Sequence, residues 1–244
     1  MNNQTKTALI TGASRGLGLA LAKALAQDGW QLIIDARGSE ALGKAHHQLE
    51  QWTTVTAVSG DISHKAHRQA LAVAARAAGG LDLVVNNAGM LGPSPQPALL
   101  DYPLDVLETV FRVNVVAQLG VLQAVADTLK PGARILNITS DAGREAYPGW
   151  GGYGASKAAL EQLTAVLAAE LAEQKPGVRV YWVDPGDMQT QMHQDAFPGE
   201  DISDRALPEA SVPGLLALVT GDWPNGRYQA QKLTAASKNR CLAD

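Results

Sequence analysis

The feature that most restricts how this chain folds is a rhythm. Short apolar runs alternate with stretches of helical periodicity along most of its 244 residues. The runs at 7–11 (Thr7-Ala8-Leu9-Ile10-Thr11), 31–35, 55–59, 81–86, 134–139 and 178–183 are too short for helices. Several are apolar at consecutive positions, the mark of strands covered on both faces. Between them, Leu17, Leu21 and Leu25 outline one helix face. An alanine-rich helix over 65–78 closes at Gly79-Gly80, and a long helix is predicted over 104–129. A further helix over 153–173 carries Leu160, Leu163, Leu167 and Leu171 on its predicted core face. Parallel strands need such crossovers, so the pattern predicts an α/β fold, a doubly wound parallel sheet of Rossmann type with helices on both faces.

The length suits a single domain over 1–244. Two stretches break the rhythm: the proline-rich 91–103, and 187–213, which is long for a compact-domain loop and is predicted to be a substrate loop. A polar tail covers about 231–244. The net charge of −4 comes without a basic block, which disfavours a nucleic-acid partner. No apolar run approaches the ~18 residues of a membrane span, and the short polar N-terminus does not resemble a signal peptide. The one cysteine, Cys241, excludes an internal disulfide and suits a cytoplasmic setting. His46, His47, His64, His67 and His193 have no cysteine or carboxylate cluster around them, so they are expected to be solvated surface residues and no metal site is predicted.

Tyr153 and Lys157 stand four residues apart at the start of a helix, on one face. A phenol beside an ammonium is a candidate general acid, with the positive charge expected to lower its pKa. Upstream, Gly12, Ser14, Arg15, Gly16, Leu17 and Gly18 lie in a glycine-rich turn that follows a strand and opens a helix. Such a turn lets the backbone approach a pyrophosphate, which the helix N-terminus then holds. After the second strand, Arg37 with Arg15 offers two guanidiniums to a 2′-phosphate, which favours NADP. Asp35 keeps NAD open, because either it or Ala36 could face the adenosine ribose.

Together these motifs resemble the short-chain dehydrogenase/reductase family over about residues 7–190. The glycine loop fits the family's T-G-x-x-x-G-x-G, and Asn86-Asn87-Ala88-Gly89 its N-N-A-G run. The resemblance implies that Asp61 and Ile62 contact the adenine, and that Pro185, Gly186, Met188 and Thr190 lie along the nicotinamide. It also implies a catalytic set of Asn114, Ser140, Tyr153 and Lys157, with Tyr153 as proton donor. Ser140 would hold the substrate oxygen. Lys157 would lower the Tyr153 pKa and bind the nicotinamide ribose, and Asn114 would hold a relay water.

The implied activity is hydride transfer between NADP(H) and a small carbonyl or alcohol. A narrower 3-oxoacyl thioester reductase, or a non-enzymatic NADP sensor on the same fold, are the alternatives. A sugar-nucleotide epimerase or dehydratase fits less well, since those relatives are longer and space their glycines differently. Met90, Leu91, Asp141, Tyr147, Trp150, Met188 and Met192 are candidates to line the substrate pocket. Asp141 is placed to face a polar or cationic group. A homodimer or homotetramer through the 104–129 and 153–173 helices is the implied assembly. The family's G-G ending after its last strand is absent at 226–230, and Asp184 stands where asparagine is frequent.

Overall fold

The apolar runs become the strands of one parallel sheet. A computed structural model describes residues 5–233. Its strands are β1 (Thr7–Ile10), β2 (Gln31–Ala36), β3 (Val55–Ser59), β4 (Leu81–Asn86), β5 (Leu129–Ile138), β6 (Arg179–Asp184) and β7 (Gly226–Gln229). They pair in the order β3-β2-β1-β4-β5-β6-β7, every neighbour parallel. The crossovers are α1 (Gly16–Gln27), α2 (Ser39–Leu49), α3 (Lys65–Ala77), α4 (Leu104–Phe111), α5 (Ala117–Val125), α6 (Gly151–Gln174), α7 (Gln191–Ala196) and α8 (Val212–Thr220).

Successive side chains on a strand point to opposite faces, so each inner strand feeds two cores. Ile10, Leu32, Ile34, Leu136 and Tyr181 pack with α1, α2 and α8 through Leu21, Leu25, Leu42, Leu49, Leu215 and Leu218. Leu9, Ile33, Val84, Ile135 and Val180 pack on the other side with Leu71 of α3, Val121 of α5 and Leu171 of α6. The chain builds outward from β1 to β3, then crosses back to place β4 on the other side of β1. That reversal opens a crevice beyond the tips of β1 and β4, where open α/β sheets bind ligands.

Four features differ from the sequence reading. The predicted continuous helix over 104–129 is interrupted by a π-helical turn, Arg112–Val116, between α4 and α5. Asn114 sits at its centre, fully buried, and the extra residue swings its side chain into the sheet crevice. By length and composition the 104–128 segment could cross a membrane, contrary to the expectation that no run reaches that length. Its inner row instead lies in the core, with Val110, Val121 and Val125 fully buried. Leu163 was predicted on the core face of α6 but is exposed, as is Val166. The buried row is Tyr153, Lys157, Leu160, Thr164, Ala168 and Leu171, and Leu163 lies on its flank. The 187–213 stretch is not wholly irregular: it contains α7, a bridge between Met188 and Ala206, and a 3-10 turn at Pro208–Ser211 that leads into α8. Residues 234–244 of the predicted tail, with Cys241, lie outside the described residues.

Candidate active site

The glycine loop hangs between the tips of β1, β2 and β4. Gly12 takes φ +66, and a Cβ there would stand 2.9 Å from the Ala88 backbone. A Cβ on Gly18 would stand 2.5 Å from the Gly12 carbonyl. Only glycine lets the loop turn this tightly against β4, and the cradle so formed fits a pyrophosphate at the start of α1. Asn87 fastens the loop from the β4 side: its Nδ2 donates to the carbonyls of Thr11 (2.9 Å) and Gly12 (3.1 Å). Thr11 returns the tie, its Oγ1 accepting from the backbone N–H groups of Asn87 and Ala88 at 3.0 Å each. Leu17 is buried in the core, so only its backbone faces the loop, whereas Ser14 and Gly16 are half-buried and Arg15 is exposed.

Arg37 is exposed at the tip of β2. Asp61 and the buried Ile62 follow β3 on the same edge. Burial pushes the Asp61 carboxyl up, but hydrogen bonds from Ser63 and the charges of Arg37 and His64 outweigh it and hold it below the usual value. Asp35 is not available to a ribose. It is buried, and its two carboxylate oxygens meet Gly12 N–H at 2.8 Å and His67 Nε2 at 2.9 Å. His67 is therefore not the solvated residue the sequence suggested. His193 is half-buried against Phe197, with ring centroids 4.9 Å apart, and accepts from Arg205 Nε at 3.3 Å.

Around the tips of β4, β5 and β6 the predicted catalytic residues come together. Asn114 Nδ2 donates to the Met90 carbonyl (2.8 Å) and Ser156 Oγ (3.0 Å), and its Oδ1 accepts from Met90 N–H (2.9 Å). Its side chain thus holds the 89–91 segment in place, and these contacts leave one Oδ1 acceptor site over. Lys157 is buried and donates to the Ile138 carbonyl at 2.9 Å, with its Nζ 5.4 Å from the centre of the Tyr153 ring. Burial pushes the Lys157 ammonium down to about 8, against the opposing charge of Glu161. The Tyr153 phenol is not lowered as expected. Burial first, then the charges of Asp141 and Asp184, push it well above the ordinary phenol range, and a hydrogen bond with Ser140 only partly offsets them. The protonated form is the one this environment favours.

Ser140 and Tyr153 line one pocket with Leu91, Asp141, Trp150, Met188 and Met192. Pro185, Gly186 and Thr190 complete its floor. Met90 and Tyr147, both proposed from the sequence, do not line it. Met90 is spent on Asn114, and Tyr147 is an exposed residue whose hydroxyl donates to Asp141 Oδ2 at 3.0 Å. The other Asp141 oxygen accepts from Ser140 Oγ at 2.9 Å and from Ala142 N–H at 2.7 Å.

The sequence matches one family model, described as short chain dehydrogenase, over residues 6–201. The chain belongs to the short-chain dehydrogenase family. It is 37% identical over 209 residues to a protein of Chromohalobacter salexigens named sulfoacetaldehyde reductase 2, covering 84% of this chain and 81% of that one. An uncharacterized oxidoreductase of Staphylococcus epidermidis is 34% identical over 208 residues, covering 84% and 86%. A Shigella flexneri structure complexed with NADP superposes with a TM-score of 0.85 at 29% identity, covering 95% of this chain and all of that one. The chain is thus an oxidoreductase by family.

This short-chain dehydrogenase also contains a charge network the sequence did not reveal. Glu161, one helical turn beyond Lys157, accepts from Thr139 Oγ1 (2.9 Å) and Arg227 Nε (2.8 Å). Arg227 in turn donates to the Ser140 carbonyl at 3.2 Å and lies 3.6 Å from Asp184. Asp184, which the sequence left without a role, accepts from Gly186 N–H at 2.9 Å and so shapes the turn under the pocket. Glu161 lies four residues beyond Lys157 on α6, a spacing to which no role was attached from the sequence. The link from Glu161 to Arg227 joins α6 to β7 and left no local signal.

Proposed function

We propose that this protein reduces a carbonyl compound with NADPH, or runs the reverse oxidation of an alcohol, with Tyr153 as the proton donor. The observation that carries this reading is a buried phenol beside a serine hydroxyl, in a pocket next to a loop shaped for a dinucleotide, with surroundings that favour the protonated phenol. The NADP-bound Shigella neighbour and the Chromohalobacter relative named as an aldehyde reductase support it.

The residues present suit the cofactor. The loop from Gly12 to Gly18, with Ser14, Gly16 and Leu17 through their backbones, would take the pyrophosphate. Arg15 and Arg37 would take the 2′-phosphate. Asp61 and Ile62 would border the adenine, and Asn87, Ala88 and Gly89 the adjoining ribose. Pro185, Gly186, Met188 and Thr190 would line the nicotinamide, whose ribose Tyr153 and Lys157 would bind. When bound, NADPH supplies the hydride. Tyr153 gives its proton to the substrate oxygen, which Ser140 holds within reach. Lys157 is the buried ammonium that resupplies that proton, and Asn114 fixes the segment facing it. NAD remains the weaker candidate.

The pocket also points to a substrate class. Asp184 and Asp187 meet Arg227 and Arg205 at 3.6 and 3.7 Å. Asp141 has no basic side chain within 4 Å among the described residues. An uncharged or cationic, partly apolar carbonyl compound suits this lining better than an anion such as a sulfonate. The protein is further proposed to work as a single domain in the cytoplasm, as a homodimer or homotetramer.

The test is NADPH and NADH oxidation over neutral, amino-bearing and sulfonated aldehydes and ketones. Tyr153→Phe should lower turnover by ~10²–10⁴-fold while NADPH still binds. Turnover retained in that variant would overturn the mechanism.

A further inference from the structure

The buried contact between Asp35 and His67 belongs to no part of the chemistry above. Asp35 is 1% exposed and His67 9%. Asp35 stands on β2 facing α3, the side to which its neighbour-but-one Ile33 also points. It grips the glycine loop twice: Oδ1 accepts from Gly12 N–H at 2.8 Å, and its backbone carbonyl accepts from Ala13 N–H at 2.9 Å. Its remaining oxygen, Oδ2, meets His67 Nε2 at 2.9 Å. Because the partner is a carboxylate, that nitrogen carries a hydrogen. His67 is set in the first turn of α3, and its ring fills the space a side chain at Gly60 would need. Gly60 in turn donates to the Ala36 carbonyl at 3.0 Å. The ring thus stands against the Gly60 backbone after β3, beside the end of β2 that carries Asp35.

A buried carboxylate is costly unless its oxygens are satisfied. Here they are satisfied by the loop on one side and by His67 on the other. With its N–H given to Asp35, Gly12 contributes to the pyrophosphate cradle by letting the backbone turn, not by donating to a phosphate. We infer that Asp35 and His67 form a positioning couple that holds the glycine loop open in its dinucleotide-receiving shape, and that Asp35 takes no part in choosing between NADP and NAD. The inference rests on the proposed reading of the loop as a dinucleotide site.

The experiment measures dissociation constants for NADPH and NADH by calorimetry, beside kcat and the cofactor KM. His67→Leu should weaken both nucleotides by the same factor, about tenfold for the loss of one charge-assisted hydrogen bond, with a smaller change in kcat. His67→Gln, whose amide can donate to Asp35, should recover most of the affinity. Asp35→Asn should leave the NADPH/NADH ratio unchanged. Unchanged affinities in a folded His67→Leu protein would overturn the couple. A shift of the ratio in Asp35→Asn would overturn it too, by making Asp35 a reader of the ribose. If the unsubstituted protein bound neither nucleotide, the dinucleotide reading itself would fall and this inference with it, a result distinct from selective loss in the variants.

Discussion

Lys157→Met should make the cofactor-free protein more stable at neutral pH while abolishing its chemistry. Lys157 is 4% exposed, and burial moves its ammonium from an ordinary 10.5 down to about 8. At ~1.4 kcal/mol per pKa unit, a charged Lys157 costs the fold about 3 kcal/mol. Below pH 8 both folded and unfolded chains hold the proton, so the cost is complete. Between pH 8 and 10.5 the unfolded chain holds more protons than the folded one, and stability rises with pH. Above 10.5 the cost is gone.

Methionine keeps the stem and removes the charge, but leaves the Ile138 carbonyl without its 2.9 Å donor, a loss of about 1 kcal/mol. The net gain at pH 7 is about 2 kcal/mol, or roughly 4–8 °C in Tm for a chain of this size. By pH 10 most of it disappears. Urea unfolding of both proteins at pH 7 and pH 10, at one protein concentration, measures this. A variant less stable than its parent at pH 7, or a difference that does not change with pH, would refute the reasoning.

Arg227→Met should destabilise the fold by about 3 kcal/mol, because Glu161 and Asp184 lose a buried partner; adding Glu161→Gln should recover part of that loss, which denaturation midpoints will show. Arg37→Gln should weaken NADPH by about tenfold or more and leave NADH little changed in parallel titrations; equal losses would refute its role at the 2′-phosphate. Val116, Leu163 and Val166 are exposed on the α5–α6 side of the molecule, so Leu163→Glu should lower the mass measured by light scattering if that face pairs with a second copy.

The inner strands, and the cluster of residues proposed as the catalytic set, were legible because a parallel sheet leaves uninterrupted apolar runs and gathers polar side chains at their ends. Tyr153 and Lys157 needed only helical spacing, and the glycine loop needed only its neighbours. Other features left weaker traces. The π turn at Asn114 adds one residue to a helix whose apolar pattern continues on both sides, so periodicity passes over it. The helix α2 has only Leu42, Ala45 and Leu49 buried, too few to stand out among polar neighbours. His67 looked like a solvated histidine because its partner is 32 residues away, towards the far end of a largely apolar strand. The upward shift of Tyr153 arises from burial and from two aspartates brought near by β5 and β6, whereas the sequence displayed only the adjacent lysine.

The contacts of Arg227 have a consequence for how the protein is made. The guanidinium that ties Ser140, Glu161 and Asp184 together comes from β7, the last of the described strands in chain order. While residues near 227 are still inside the ribosome, the first six strands can pair, but Glu161 lacks its closest cation. A nascent chain stalled there would have its glycine-loop half assembled while the proposed reaction centre lacked that tie. Competence should arrive late and abruptly, with the docking of a single edge strand.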